Sequence, residues 1–498
     1  LDTVLNDYLI NSLLLLLGVG TGVILLGVPT AWLTSMCSFP GRRWLSWALL
    51  LPLAMPAYII AYTYAGLLDF AGPVQSWIRD LTGLSYGDYW FFEIRSLGGA
   101  IIMMSLVLYP YVYLMARAAF LEQSVSSIEV GCSLGYSRWQ ALWKLALPMA
   151  RPAIIAGLSL ALMETLADYG TVQYYGVSTF TTGIFRTFYG YGDTAAAAQL
   201  AASLLAFVIL LVLLERYSRR RARYHSAAES RARADLIPLS GSKAIMACVI
   251  CLSPLMFGFI IPATQLLFWA VFEAEPLGWD FVGLAWNSFS LAFLAAIIAV
   301  ILAIILSYAK RTKPIKPVRT VLAMAGFGYA LPGTIIAIGV LIPLAWLDHR
   351  LIDIFGSLGW DSPGLLLSGS LVALLFAYTV RFLAVALGSV QSGLEKIKPS
   401  LDHVGRSMGH SPLDILRKIH VPLMRSSILT AVLIVFVDVL KELPATLILR
   451  PFNFNTMAVR AYELASDERL VDAAPASIMI VLVGLIPVLM LHASIARR

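Results

Sequence analysis

Long apolar runs leave this chain only lipid to fold in. Stretches near residues 11–36, 45–68, 98–120, 149–170 and 196–216 reach or exceed the roughly 20 residues that a helix needs to cross a bilayer. Six more lie near 244–272, 287–309, 319–347, 364–390, 422–441 and 476–495. Lipid satisfies no backbone polar group, so runs of this length predict helices. The expected class is an all-α integral membrane protein with about eleven transmembrane helices. Composition agrees: 59% of the residues are hydrophobic and 13% are charged, where a soluble domain carries about a quarter charged.

Lys and Arg set the expected orientation, because short cytoplasmic loops collect them. One alternating set of loops holds Arg42 and Arg43, Arg138 and Lys144, the stretch 217–243, then Lys310 to Arg319, Lys396 to Lys418, and Arg497 and Arg498. The loop 273–286 on the other side has none. The C-terminus and the basic loops are therefore expected in the cytoplasm. The net charge of +7 reflects this asymmetry and argues for no nucleic-acid partner, since the basic residues sit in short loops between apolar runs.

The chain repeats itself. Asn11-Ser12 matches Asn287-Ser288, and Pro56 matches Pro332, both 276 apart. Gly135 matches Gly409, Pro148 matches Pro422, Thr182 matches Thr456, and Arg186 matches Arg460, all 274 apart. Corresponding loops fall on the same side, so the two copies are parallel rather than inverted repeats. The expected domains are a first repeat at 1–216, a basic cytoplasmic linker at 217–243, and a second repeat at 244–498. The second copy has a span at 244–272 ahead of Asn287, and the first has only ten residues ahead of Asn11. A further first helix, twelve in all, is the expectation for the intact protein.

A polar loop recurs in both copies. The first reads SSIEVGCSLGYSRWQALWKLALPMARPAI, with Glu129, Gly131, Gly135, Leu145, Leu147 and Pro148 at fixed spacing. The second reads SLDHVGRSMGHSPLDILRKIHVPLMRSSI, with Asp402, His403, Gly405, Gly409, Ile419, Val421 and Pro422 in register. Each stretch is amphipathic and too polar to insert. Gly135 and Gly409 permit a turn between two short helices. Pro148 and Pro422 are placed to open the next helix, where a missing N–H costs nothing. A short projecting helix suits a groove on a soluble partner.

Just after each loop come paired acids four residues apart, on one helix face. Glu164 and Asp168 stand where Asp438 and Glu442 stand in the second copy. Ionisable groups within a span face a bundle interior or a water-filled path. Lys441, Arg186, Arg450 and Arg460 are the available counter-charges, and the four acids with these four bases are the candidate lining of a path. Whether they line a path or only pair internally is open at this point.

The polar loops resemble the EAA loop of ABC-importer permeases, with its glutamate, glycine and terminal leucine-proline. The alanines are replaced by Val130 and Gly131, and by Val404 and Gly405. With the run KELPATLILRP at 441–451 and the duplicated layout, nearly the whole chain resembles ferric-iron ABC permeases. That resemblance implies two tandem copies of the MetI-like permease fold in a bacterial inner membrane. It also implies a homodimeric cytoplasmic ATPase carrying ATP and Mg, and a periplasmic substrate-binding protein. Iron rests on the resemblance alone; thiamine, a polyamine or an oxyanion would suit the same fold, and an ion-coupled secondary transporter is the rival of another class.

No Walker A pattern or nucleophile–base motif occurs, so no catalytic residues, no cofactor and no tight metal site are expected in this chain. Cys248 and Cys251 read as small core residues rather than a metal site. Trp77, Trp90, Phe91 and Phe92 in the loop 69–97 read as interfacial anchors or as a docking surface for a binding protein.

Overall fold

The computed structural model describes residues 4–85, 88–122, 135–137, 140, 142–220, 236–276, 278–362 and 364–496. In the first half, helices run α1 (Leu5–Met36), α2 (Arg42–Ala54), α3 (Ala57–Leu68), α4 (Pro73–Thr82), α5 (Leu97–Glu122), α6 (Leu142–Ala167), α7 (Gly170–Tyr174), α8 (Phe180–Phe185) and α9 (Thr194–Arg220). The second half has α10 (Ser242–Glu273), α11 (Trp279–Thr312), α12 (Lys316–Ala325), α13 (Gly333–Ser357) and α14 (Leu371–Glu395). It continues with α15 (Ser400–Ser407), α16 (Pro412–Leu423), α17 (Arg425–Leu440), α18 (Pro444–Leu449), α19 (Met457–Ser466) and α20 (Leu470–Ala496). Among the described residues nine helices are long and apolar enough to cross a membrane, or eleven when each of two bent pairs counts as one span.

Two expected spans are broken, and proline explains both. The run 45–68 bends by 91° between α2 and α3. Met55, ahead of Pro56, is extended at φ −94° and ψ 111°, because a proline ring clashes with an α-helical residue before it. The run 319–347 divides in the same way: Leu331, ahead of Pro332, has φ −82° and ψ 126°. Helix α12 therefore stands apart from α13. A third difference separates the halves. Pro148 stands at the start of the α-helical part of α6, Leu147–Ala167, as expected, but a π-helical turn at Leu142–Ala146 runs directly into it, so α6 is continuous there. In the second half a matching π-helical turn spans Leu416–His420, and the chain then bends by 77° between α16 and α17. Such turns absorb the ladder fault that proline makes.

Each half is built on three packed helices, α1, α5 and α6 in the first and α11, α14 and α17 in the second. The halves also embrace. Helix α9 packs on α13, and α20 packs on the end of α2. Helix α10 leans on the first half, where Tyr64 Oη donates to the Phe257 carbonyl at 2.7 Å. Within the linker, Ile237–Pro238 pairs in parallel with Cys37–Ser38; residues 221–235, with most of its arginines, lie outside the described residues. Cys251 is fully buried and Cys248 partly so, both as free thiols.

Gly258 marks a close backbone crossing between α10 and the first half. A Cβ there would stand 2.6 Å from the Leu106 carbonyl oxygen, a backbone atom that cannot swing aside. Gly258→Ala should lower thermal stability of the purified protein by about 1–3 kcal/mol through overpacking. Gly388→Ala, in α14 with nothing within 4 Å of the added carbon, should leave it unchanged or raise it by roughly 0.5–1 kcal/mol. Melting curves in detergent compare the two.

Candidate translocation site and coupling surface

Broken helices leave N–H groups without partners, and lipid cannot supply them. The chain fills this need with its own acids. Asp168 ends α6, and its Oδ1 accepts from the amides of Thr171 at 3.0 Å and Val172 at 3.3 Å, with Thr171 Oγ1 on Oδ2 at 3.0 Å. Glu442 does the same between α17 and α18. Its Oε1 accepts from the Ala445 amide at 2.9 Å, and its Oε2 from the Thr446 amide at 3.0 Å and Thr446 Oγ1 at 2.7 Å. The amide bonds from the third and fourth residues after the acid thus recur in both copies, with the hydroxyl supplied by Thr171 in one and by Thr446, one position further on, in the other.

The two breaks meet. Glu164, Asp168, Asp438, Lys441 and Glu442 line one cavity of about 120 Å³ between the halves, with Tyr58, Tyr111, Tyr329 and Arg381. That volume holds several waters or a partly hydrated ion. Lys441 Nζ lies 2.9 Å from Asp438 Oδ1. Arg381 Nη1 lies 3.0 Å from Glu442 Oε1, both side chains almost fully buried. Glu164, half-buried, makes no hydrogen bond or ion pair with any described residue. Among the described residues no three His, Cys, Asp or Glu side chains converge to hold a metal ion.

Of the expected counter-charges, Lys441 alone serves the acids. Arg450 pairs with Glu463 at 2.7 Å. Arg186 and Arg460 are exposed and pair with none of the four. Arg381 was missed, although a lone arginine within the apolar run 364–390 is the signal of a buried polar site. Tyr58 was missed as well. It is 5% exposed and its hydroxyl has no partner among the described residues, and nothing in the sequence separates it from its aromatic neighbours.

The described residues of the polar loops, 135–137, 140 and those from 142 on in the first copy and 396–422 in the second, follow α5 and α14. Glu129 and Gly131 fall outside the described residues. Gly135 and Gly409 adopt φ of +85° and +80°, the left-handed turn that glycine takes without strain. Leu145 and Leu147 are half-buried and Pro148 is exposed; Ile419 and Val421 are half-buried and Pro422 is exposed. Asp402 is turned inward, not outward. Arg311 Nη2 stands 2.7 Å from its Oδ2 and His420 Nε2 stands 2.8 Å from its Oδ1, which pins α15 to the end of α11. Gly405 is buried under Ile415. The outward face of α15 carries exposed His403 with Leu401, Val404 and Met408, an apolar stripe at helical spacing.

Arg95 joins the halves. Its Nη1 and Nη2 reach the Glu468 carboxylate at 2.6 and 2.9 Å, and its Nε reaches Asp69 at 2.9 Å. Glu468 sits at φ +60°, a strained position for a non-glycine residue. The Arg95 guanidinium holds its carboxyl below the usual glutamate range. Trp77 and Trp90 are exposed.

Two bundles thus enclose a polar cavity, with the amphipathic α15 following α14. The comparisons show what a chain of this kind is similar to. Residues 18–224 match the family described as the inner membrane component of binding-protein-dependent transport systems. The chain is 26% identical over 490 residues to the Fe(3+)-transport system permease protein FbpB 2 of Haemophilus influenzae, covering 97% of this chain and 89% of that one. It is 21% identical over 434 residues to the ferric transport system permease protein FbpB of Actinobacillus pleuropneumoniae, covering 83% and 60%. A molybdenum transport permease, ModB of Escherichia coli, is 26% identical over 233 residues, which is 99% of its own length and 44% of this chain. A whole single-copy relative thus spans less than half of the chain, as a duplicated permease requires. The chain is thus similar over residues 18–224 to binding-protein-dependent inner membrane components, and over nearly its whole length to a Fe(3+)-transport permease.

Two predictions follow from these pairs. Arg381→Met strands the buried Glu442 charge and should cost about 3–5 kcal/mol of stability, whereas Glu164→Gln should leave folded yield unchanged; size-exclusion profiles and melting in detergent compare them. Arg95→Ala should destabilise the protein at neutral pH. The contribution of a depressed carboxylate is present above its unfolded value and is lost as pH falls through the folded one, so the difference between Arg95→Ala and wild type should shrink on acidification.

Proposed function

We propose that this chain is the membrane subunit of an ATP-driven importer that carries ferric iron from a periplasmic binding protein into the cytoplasm. One observation carries the choice of cargo charge. The short helices beginning at Gly170 and Pro444 point their first-turn amides toward the cavity, an arrangement that suits anions. Here those amides are already held by Asp168 and Glu442, and Glu164 and Asp438 line the same space. An oxyanion would meet four carboxylates against two cations. A hard cation meets oxygen donors of the class it prefers. Among cations, Fe³⁺ is favoured by the similarity to the Haemophilus permease over nearly the whole chain.

A separate homodimeric cytoplasmic ATPase supplies the energy in this reading, with ATP and Mg on its own chains. It docks on the loops that follow α5 and α14, where Leu401, Val404 and Met408 offer an apolar contact, and these loops and the C-terminus lie in the cytoplasm. Gly135 and Gly409 hold the turns that present those contacts. Closure of the ATPase pulls the loops together and rocks the halves about the cavity, which requires the ATPase to bind the two states unequally. The binding protein meets the end of the bundle near Arg95, Trp77 and Trp90.

Proteoliposomes holding this chain with its ATPase test both parts. ATP turnover should rise with the binding protein loaded with ferric ion and stay basal with molybdate or thiamine; stimulation by molybdate would overturn the cation reading. Val404→Asp and Met408→Glu should each reduce ATPase binding by roughly tenfold or more, as expected of central apolar anchors, with the permease still folded. Unchanged ATPase binding in both would overturn the docking assignment.

A further inference from the structure

We propose that Lys441 is a tethered counter-ion whose ammonium takes, between passages of cargo, the place near Asp438 and Glu164 that a hard multivalent cation takes in passing. The inference rests on the cation-importer reading and names the contact. Lys441 Nζ is 2.9 Å from Asp438 Oδ1 and lies within electrostatic reach of Glu164 and the Tyr111 hydroxyl, all on the wall of one cavity. Glu164 has no other partner among the described residues. The other cation, Arg381, is consumed by Glu442. Tyr58 points independently to a ligand: it lines the same cavity, is 95% buried, and its hydroxyl is unpartnered among the described residues, which a native interior seldom tolerates.

The repeat isolates the lysine's part. Asp438 corresponds to Glu164 and Glu442 to Asp168, so the acids are present twice. Lys441 corresponds to Ala167, so the ammonium is present once. One amine, paired with Asp438 and within electrostatic reach of Glu164, offsets their charge without closing a cage. A cation of higher charge outcompetes the amine for the oxygens, and the amine, still tethered, competes to return and releases it. The device keeps the contact weak enough for passage, where two bare carboxylates and a phenol would hold a trivalent ion.

Terbium luminescence, sensitised by nearby tyrosines, reads occupancy without transport. The full chain in nanodiscs, free of iron, is titrated with Tb³⁺. Lys441→Met should bind at least ten times more tightly than wild type, Lys441→Arg should match wild type, and Glu164→Gln added to Lys441→Met should abolish the gain. Lys441→Gln carries the same prediction if the methionine variant folds poorly. Equal Tb³⁺ affinity in wild type and the neutral variants, or a gain that survives Glu164→Gln, overturns the proposal. Neither result depends on whether ferric ion stimulates ATP turnover, so the two readings fail separately.

Discussion

Lipid donates and accepts no hydrogen bonds, and this governs the site more than any other constraint. A path through a membrane protein needs polar lining, and this chain builds its lining at helix breaks. Each break exposes amides, and each set of amides needs an acceptor that moves with the protein. Asp168 and Glu442 meet that need from inside the chain, accepting six hydrogen bonds from residues in the first turns of α7 and α18. The acids are thus structural and functional together: they let the helices stop within the membrane, and they set the sign of the cavity.

The duplication is close in backbone and unequal in charge. Both copies share the π-helical turn, the left-handed glycine, and the acid that ends one helix and holds the next. Yet both basic groups on the cavity wall, Arg381 and Lys441, belong to the second copy. Their counterparts in the first are Val107 and Ala167. Fusing two copies frees each from the symmetry that a homodimer imposes. The chain uses that freedom to pair the acids of the second half and leave Glu164 of the first half exposed to the cavity.

Sequence alone reached the spans, the parallel repeat and the acids, because each leaves a local signature: a run of apolar residues, an offset, a spacing of four. It did not reach the bends at Met55 and Leu331, since hydropathy passes through a proline without a mark, although the Leu-Pro and Met-Pro steps held the information. Partners distant in sequence were also hidden. Arg450 finds Glu463 and Arg381 finds Glu442 through tertiary packing, and Asp402 faces Arg311 because α15 folds back on α11. The first acidic loop position, Glu129, lies outside the described residues, so the loops are compared through their second halves alone.

The central claim is that the cavity between the halves is a wet, cation-selective passage. Ala167 lines it without holding any charge. A cysteine placed there, in a chain whose Cys37, Cys132, Cys248 and Cys251 are replaced, reports both water access and electrostatic sign. The account predicts that a cationic methanethiosulfonate modifies Ala167→Cys at least about ten times faster than an anionic one of similar size, as focused negative potential requires, and that ATP on the partner changes the rate. Equal rates for the two reagents, faster anionic modification, or no modification in any ATPase state would contradict it.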